Sequence, residues 1–96
     1  MNIEKNLSGT VLTIVLEGRL DTVTAPVLEK ELKESYDSIK AMVLDFKKLE
    51  YISSAGLRVV LGARKAMRGR LIVKNVNDIV MEVFEVTGFA DILTIE

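Results

Sequence analysis

The chain has 96 residues, 49% of them apolar, with 14 acids against 13 bases for a net charge of −1. That length and composition suit one domain over 1–96 with a single core. The absence of Cys and His excludes disulfides, thiolate nucleophiles and zinc–thiolate sites, and removes the usual general base.

Neither sign of charge forms a long block, so there is no electrostatic footprint for a nucleic-acid backbone or an anionic membrane. The opening Met1-Asn2-Ile3-Glu4-Lys5 lacks the regions of a signal peptide. No apolar run approaches the roughly 20 residues that span a bilayer. The expectation is a cytoplasmic protein with no nucleic-acid or membrane partner.

Asn2 to Lys5 reads as a first strand, turned at Leu7-Ser8-Gly9 into the β-branched run Val11 to Leu16, which makes an antiparallel hairpin. Gly18 stands where a backbone conformation avoided by other residues is available. Asp21, Thr22 or Thr24 then caps a helix that tolerates Pro26 in its first turn and carries Val27, Leu28, Leu32 and Tyr36 as its apolar stripe. Ala41 to Phe46 is apolar at both parities, as a central strand covered on two faces is.

After a short charged connection, Tyr51-Ile52-Ser53-Ser54-Ala55-Gly56-Leu57 leads into a helix from about Ser54 to Met67, ended by Gly69. The basic cluster Arg64 to Arg70 sits at its C-terminal end, where cations suit the helix dipole. Leu71-Ile72-Val73 is another strand. A last helix starts at Asn75 to Asn77, buries Ile79, Val80, Val83 and Phe84 and stops at Thr87-Gly88, and Ile92 to Ile95 is a short final strand. The fold class is therefore α/β, with a mixed sheet of four to five strands, antiparallel at the hairpin and otherwise mostly parallel.

The candidate site is the start of the helix at Ser54. Backbone N–H groups in a first helical turn have no partner within the helix, and that end of the dipole is positive. Here no Asp or Glu follows the serines, although first turns usually attract them, so a phosphate would find the charge uncompensated. Arg58, four residues after Ser54, falls one turn away on the same side. Ala55 and Gly56 are small enough to let another molecule's backbone approach. Ser-Ser before a helix is also an ordinary cap.

Other chemistry fails on the sequence. Without His and without G-x-S-x-G there is no Ser–His–Asp relay at Ser54, and a serine enzyme of another type is left as a minor alternative. No phosphate-binding loop or dinucleotide fingerprint occurs, so no cofactor is expected. Asp21 and Asp45 are two lone carboxylates, and no metal site is expected from them.

Gly18-Arg19-Leu20-Asp21 after the second strand, Tyr51 to Leu57 before a helix, and the closing Val83-Phe84-Glu85-Val86-Thr87-Gly88-Phe89 together resemble the STAS domain of bacterial anti-sigma-factor antagonists, over essentially the whole chain. The resemblance implies a partner switch rather than an enzyme. The unmodified antagonist binds an anti-sigma factor that is also a serine kinase, phosphorylation releases it, and a phosphatase acting on phosphoserine reverses the change. By register the phosphorylated residue corresponds to Ser54, with Asp21, Ser53, Ala55, Gly56 and Arg58 around it. Many members carry Asp where this chain has Ser53, which leaves Ser53 as second choice. An alternative with the same fold is a constitutive interaction module of a transporter or signalling assembly.

Overall fold

The computed structural model describes residues 1–96. Strands β1 (Asn2–Ser8) and β2 (Val11–Leu20) form the hairpin, followed by α1 (Ala25–Lys33) and a 3-10 turn at Tyr36–Ser38. Strand β3 (Ala41–Ile52), α2 (Ser54–Ala66), β4 (Leu71–Lys74), α3 (Asp78–Thr87), a 3-10 turn at Phe89–Asp91 and β5 (Thr94–Ile95) complete the chain. The sheet order is β1-β2-β3-β4-β5, antiparallel between β1 and β2 and parallel elsewhere. The hairpin closes on Gly9-Thr10, with Gly9 at φ 62° in the left-handed region that a tight hairpin turn requires.

Because the order never reverses, right-handed crossovers carry all three helices to the same side of the sheet. Leu12, Ile14 and Leu16 of β2, Met42, Leu44 and Phe46 of β3, and Leu71 and Val73 of β4 are buried beneath them. The alternate residues Thr13, Val15, Val43, Asp45 and Ile72 are only half-buried on the other face. The expected covering of β3 on two faces is thus corrected to one: its apolar run at both parities reflects β propensity on the open side as well as burial on the closed side.

Strand β3 is twice as long as expected, because Lys47 to Glu50 continue the strand instead of connecting it to α2. Its register with β2 slips by one residue between Val15 and Glu17 and again between Gly18 and Arg19. Each slip inserts one extra residue into β3, so its buried positions run Phe46, Leu49, Ile52 rather than alternating. Gly18, at φ 107°, supplies the backbone conformation needed at the second slip.

The helices use most, not all, of the apolar positions assigned to them. Leu28 and Leu32 of α1 are buried and Tyr36 is half-buried, but Val27 points outward, 54% exposed. In α3, Val80 and Phe84 are buried, with the Phe84 ring 6.3 Å from that of Phe46, whereas Ile79 is 60% exposed. Asn77 caps α3, accepting the Val80 N–H at 2.8 Å and donating from Nδ2 to the Leu49 carbonyl at 2.8 Å, which fastens this helix to β3. Gly88 at φ 82° stops it. At the sheet's first edge, Lys5 turns inward to pair with Glu31 of α1, placing a charge that blunts an otherwise open strand.

Candidate functional site

The two segments Gly18-Arg19-Leu20-Asp21 and Tyr51-Ile52-Ser53-Ser54 become neighbours because β2 and β3 are parallel and end together. Arg19 is paired with Tyr51 and Leu20 with Ile52, and the Ser53 N–H continues the ladder to the Leu20 carbonyl at 2.9 Å. The Arg19 guanidinium lies over the Tyr51 ring, 4.5 Å from its centroid, a cation–π contact that cross-strand register explains and sequence spacing did not suggest. Asp21 and Ser54 therefore share one rim. Asp45 does not: it lies in the first half of β3, where its Oδ1 accepts the Lys47 N–H and Asn75 Nδ2, each at 2.9 Å. It serves the β3–β4 edge.

Ser53, not Ser54, is the cap of α2. Its extended backbone and its hydroxyl, which accepts the Gly56 N–H at 3.4 Å, satisfy one orphan donor of the first turn. Its carbonyl accepts the Leu57 N–H at 2.9 Å as the first helical bond. Ser54 follows as the first helical residue; it is exposed, and its hydroxyl forms no hydrogen bond within the chain. No acid occupies the first turn, so the positive end of the α2 dipole meets solvent beside that hydroxyl.

Gly56 does not face a visitor, which corrects the expectation drawn from its size. It is buried, and a Cβ built on it would stand 2.7 Å from Leu20 Cγ, 2.8 Å from Ile52 Cγ1 and 3.0 Å from the Leu20 carbonyl oxygen. The absent side chain lets the first turn of α2 press onto the ends of β2 and β3. Ala55 is half-buried and Arg58 is exposed. With Thr22, Ala25, Pro26, Glu29 and Val59 they line a shallow groove between α1 and α2 beside Ser54.

Asp21 organises the turn that feeds α1. Its Oδ1 accepts the N–H groups of Val23 at 3.0 Å and Thr24 at 3.1 Å, and its carbonyl accepts the Ala25 N–H at 2.8 Å. Thr24 Oγ1 in turn accepts the Asp21 N–H at 2.9 Å and donates to the Arg19 carbonyl at 2.7 Å. The Thr24 N–H, chief among these donors, holds the Asp21 carboxyl below the usual carboxylate range. Thr24 is the residue immediately before α1, yet its side chain makes no cap bond; the first N–H of the helix, that of Ala25, goes to the Asp21 backbone carbonyl instead. The rim thus carries a fixed carboxylate on one side and a free hydroxyl on the other.

Residues 2–96 match the model of the STAS domain family. The chain is 40% identical over 89 residues to BtrV of Bordetella bronchiseptica, provisionally named an anti-sigma factor antagonist, covering 88% of this chain and 77% of that one. It is 36% identical over 90 residues to the anti-sigma-B factor antagonist of Listeria monocytogenes, covering 88% and 78%. Its fold is similar to that of the anti-sigma factor antagonist SpoIIAA, solved unphosphorylated (TM-score 0.86, 20% identity, 99% of this chain and 88% of that one) and, from Bacillus, phosphorylated (TM-score 0.78, 19% identity, 99% and 91%). A match spanning all five strands, all three helices and both rim segments leaves one assignment: this chain belongs to the STAS domain family.

Proposed function

We propose that this chain is an anti-sigma-factor antagonist whose single domain binds an anti-sigma factor with serine kinase activity, and that phosphorylation of Ser54 switches the binding off until a phosphoserine phosphatase restores it. The observation that carries the proposal is the division of labour between the two serines: Ser53 spends its hydroxyl on the helix cap, leaving that of Ser54 exposed at the bare N-terminus of α2. The relatives named for the same role support it.

The switch follows from charge. A phosphate adds roughly −1.5 to −2 charges, and pressing such an anion unpaired against a partner surface costs several kcal/mol. In the free protein, Arg58 one turn away and the unpaired N–H groups of α2 stabilise it instead. A difference of about 3 to 4 kcal/mol weakens binding a few hundredfold. No rearrangement of the fold is needed.

The deciding experiment incubates the chain with ATP and an anti-sigma factor that has serine kinase activity, and locates the added phosphate by mass spectrometry. The expected result is one phosphate on Ser54. Ser54→Ala then binds the kinase without being released by ATP, and Ser54→Asp binds poorly. Equal affinity of the two variants removes the charge mechanism. No phosphate uptake at all favours the constitutive interaction module.

A further inference from the structure

The last quarter of the chain is charged with one sign. From Asn75 to Glu96 there are five acids, Asp78, Glu82, Glu85, Asp91 and Glu96, and no Lys or Arg. The two ion pairs of the protein, Lys5–Glu31 and Lys33–Glu29, involve none of them. Three of the five lie on α3, whose outward side also carries an apolar stripe. Ile79, Val83 and Val86 recur at spacings of four and three residues; Ile79 and Val86 are 60% and 81% exposed and Val83 is half-buried. With Glu82 and Thr87 they line a shallow groove of about 290 Å³.

Val80 and Phe84 anchor α3 to the sheet and Val83 packs at the margin of the core, which leaves Ile79 and Val86 surplus to folding. Apolar positions at i, i+4 and i+7 are the ones a docked helix meets, and an apolar patch with a polar rim marks an interaction surface. Here the charged residues of α3, Asp78, Glu82 and Glu85, are all acids.

We infer that the outward face of α3 is a docking site for a basic amphipathic helix of a second protein, whose apolar side covers Ile79, Val83 and Val86 while its Lys or Arg flank meets Asp78, Glu82 and Glu85. A second copy of the chain fits less well. Its own basic region, at the C-terminal end of α2, exposes Lys65, Arg68 and Arg70 beside Val11 and Ile92, which are isolated residues on a strand and a loop and not an apolar stripe on a helix. The inference is independent of what happens to Ser54.

The test uses the full chain and a fluorescein-labelled 14-residue peptide of Leu and Lys spaced to form an amphipathic helix, followed by anisotropy at low ionic strength. Saturable binding is expected, weakened about tenfold or more by Ile79→Ser with Val86→Ser, and about as much by Glu82→Lys with Glu85→Lys. Glu34→Lys with Asp37→Lys makes the same charge change next to α1 and is expected to matter less than about twofold. All six positions are exposed, so the variants stay folded, which far-UV circular dichroism checks. No saturable binding, an undiminished serine variant, or equal loss in the two charge variants overturns the inference. So does sedimentation that finds the wild type dimeric and the Ile79→Ser, Val86→Ser variant monomeric, which assigns the face to a second copy.

Discussion

The two ends of α2 are finished in opposite ways. At the N-terminal end, Gly56 lets the backbone sit against Leu20 and Ile52, Ser53 supplies the cap, and the Asp21 turn braces the neighbouring strand end. At the C-terminal end the chain closes with Gly69 N–H on the Arg64 carbonyl and Arg68 N–H on the Lys65 carbonyl, a Schellman motif. Its left-handed position is filled not by Gly but by Arg68, at φ 55°. One end is over-determined around a hydroxyl that contributes nothing to the fold; the other tolerates a conformation that costs a non-glycine residue about 1 kcal/mol. Close packing is concentrated beside the Ser54 hydroxyl, the group proposed above as the phosphorylation site.

Four substitutions break or sharpen that contrast. Gly56→Ala is expected to destabilise most, by about 2 to 3 kcal/mol, since the new methyl overlaps Leu20 and Ile52 with backbone on one side; denaturant unfolding measures it, and a loss under about 0.5 kcal/mol means that the N-terminal end is not tightly packed. Ser53→Ala removes the cap and costs about 1 kcal/mol, whereas Ser54→Ala stays within about 0.5 kcal/mol of wild type. Equal losses in the two serine variants contradict the division of labour. In the other direction, Arg68→Gly relieves the left-handed residue and stabilises by about 0.5 kcal/mol, read as a rise in thermal midpoint.

The smallest expected effect is a pH dependence. Folding lowers the Asp21 carboxyl below its ordinary pKa, chiefly through the Thr24 N–H. The unfolded chain therefore binds this proton first, so the contribution is complete above the unfolded value of about 3.9 and is lost as the pH falls through the lower folded one. Thermal midpoints of wild type and Asp21→Asn converge as the solution is acidified through that window. A gap that stays constant down to the lowest pH rejects the assignment. Glu31, lowered by its hydrogen bond to Lys5, titrates in the same direction and is unaffected by the substitution.

The order of strands and helices and the hairpin were legible from periodicity and turn residues, which are local. The meeting of Asp21 with Ser54 on one rim was expected from the resemblance alone, because it depends on the parallel pairing of β2 with β3, residues about 30 apart. What escaped depends on how elements press together. The second half of β3 was hidden because two inserted residues turn its alternation into a spacing of three, which reads as a charged connection. Val27 and Ile79 were assigned inward because a helical stripe is wider than the contact that buries it. Gly56 was given the right importance for the wrong reason: smallness in a sequence does not say which side is crowded. Ser53 and Ser54 could both have been the cap, and only the backbone angles at Ser53 decide.

The coincidence of strand order with chain order has a consequence for how the molecule is made. A nascent chain leaving the ribosome presents β1 and β2 first, then β3 with β2 already available to receive it, and so on to β5. After β1, no strand has to wait for a first partner that has yet to be synthesised, and none must be threaded between two that have already joined.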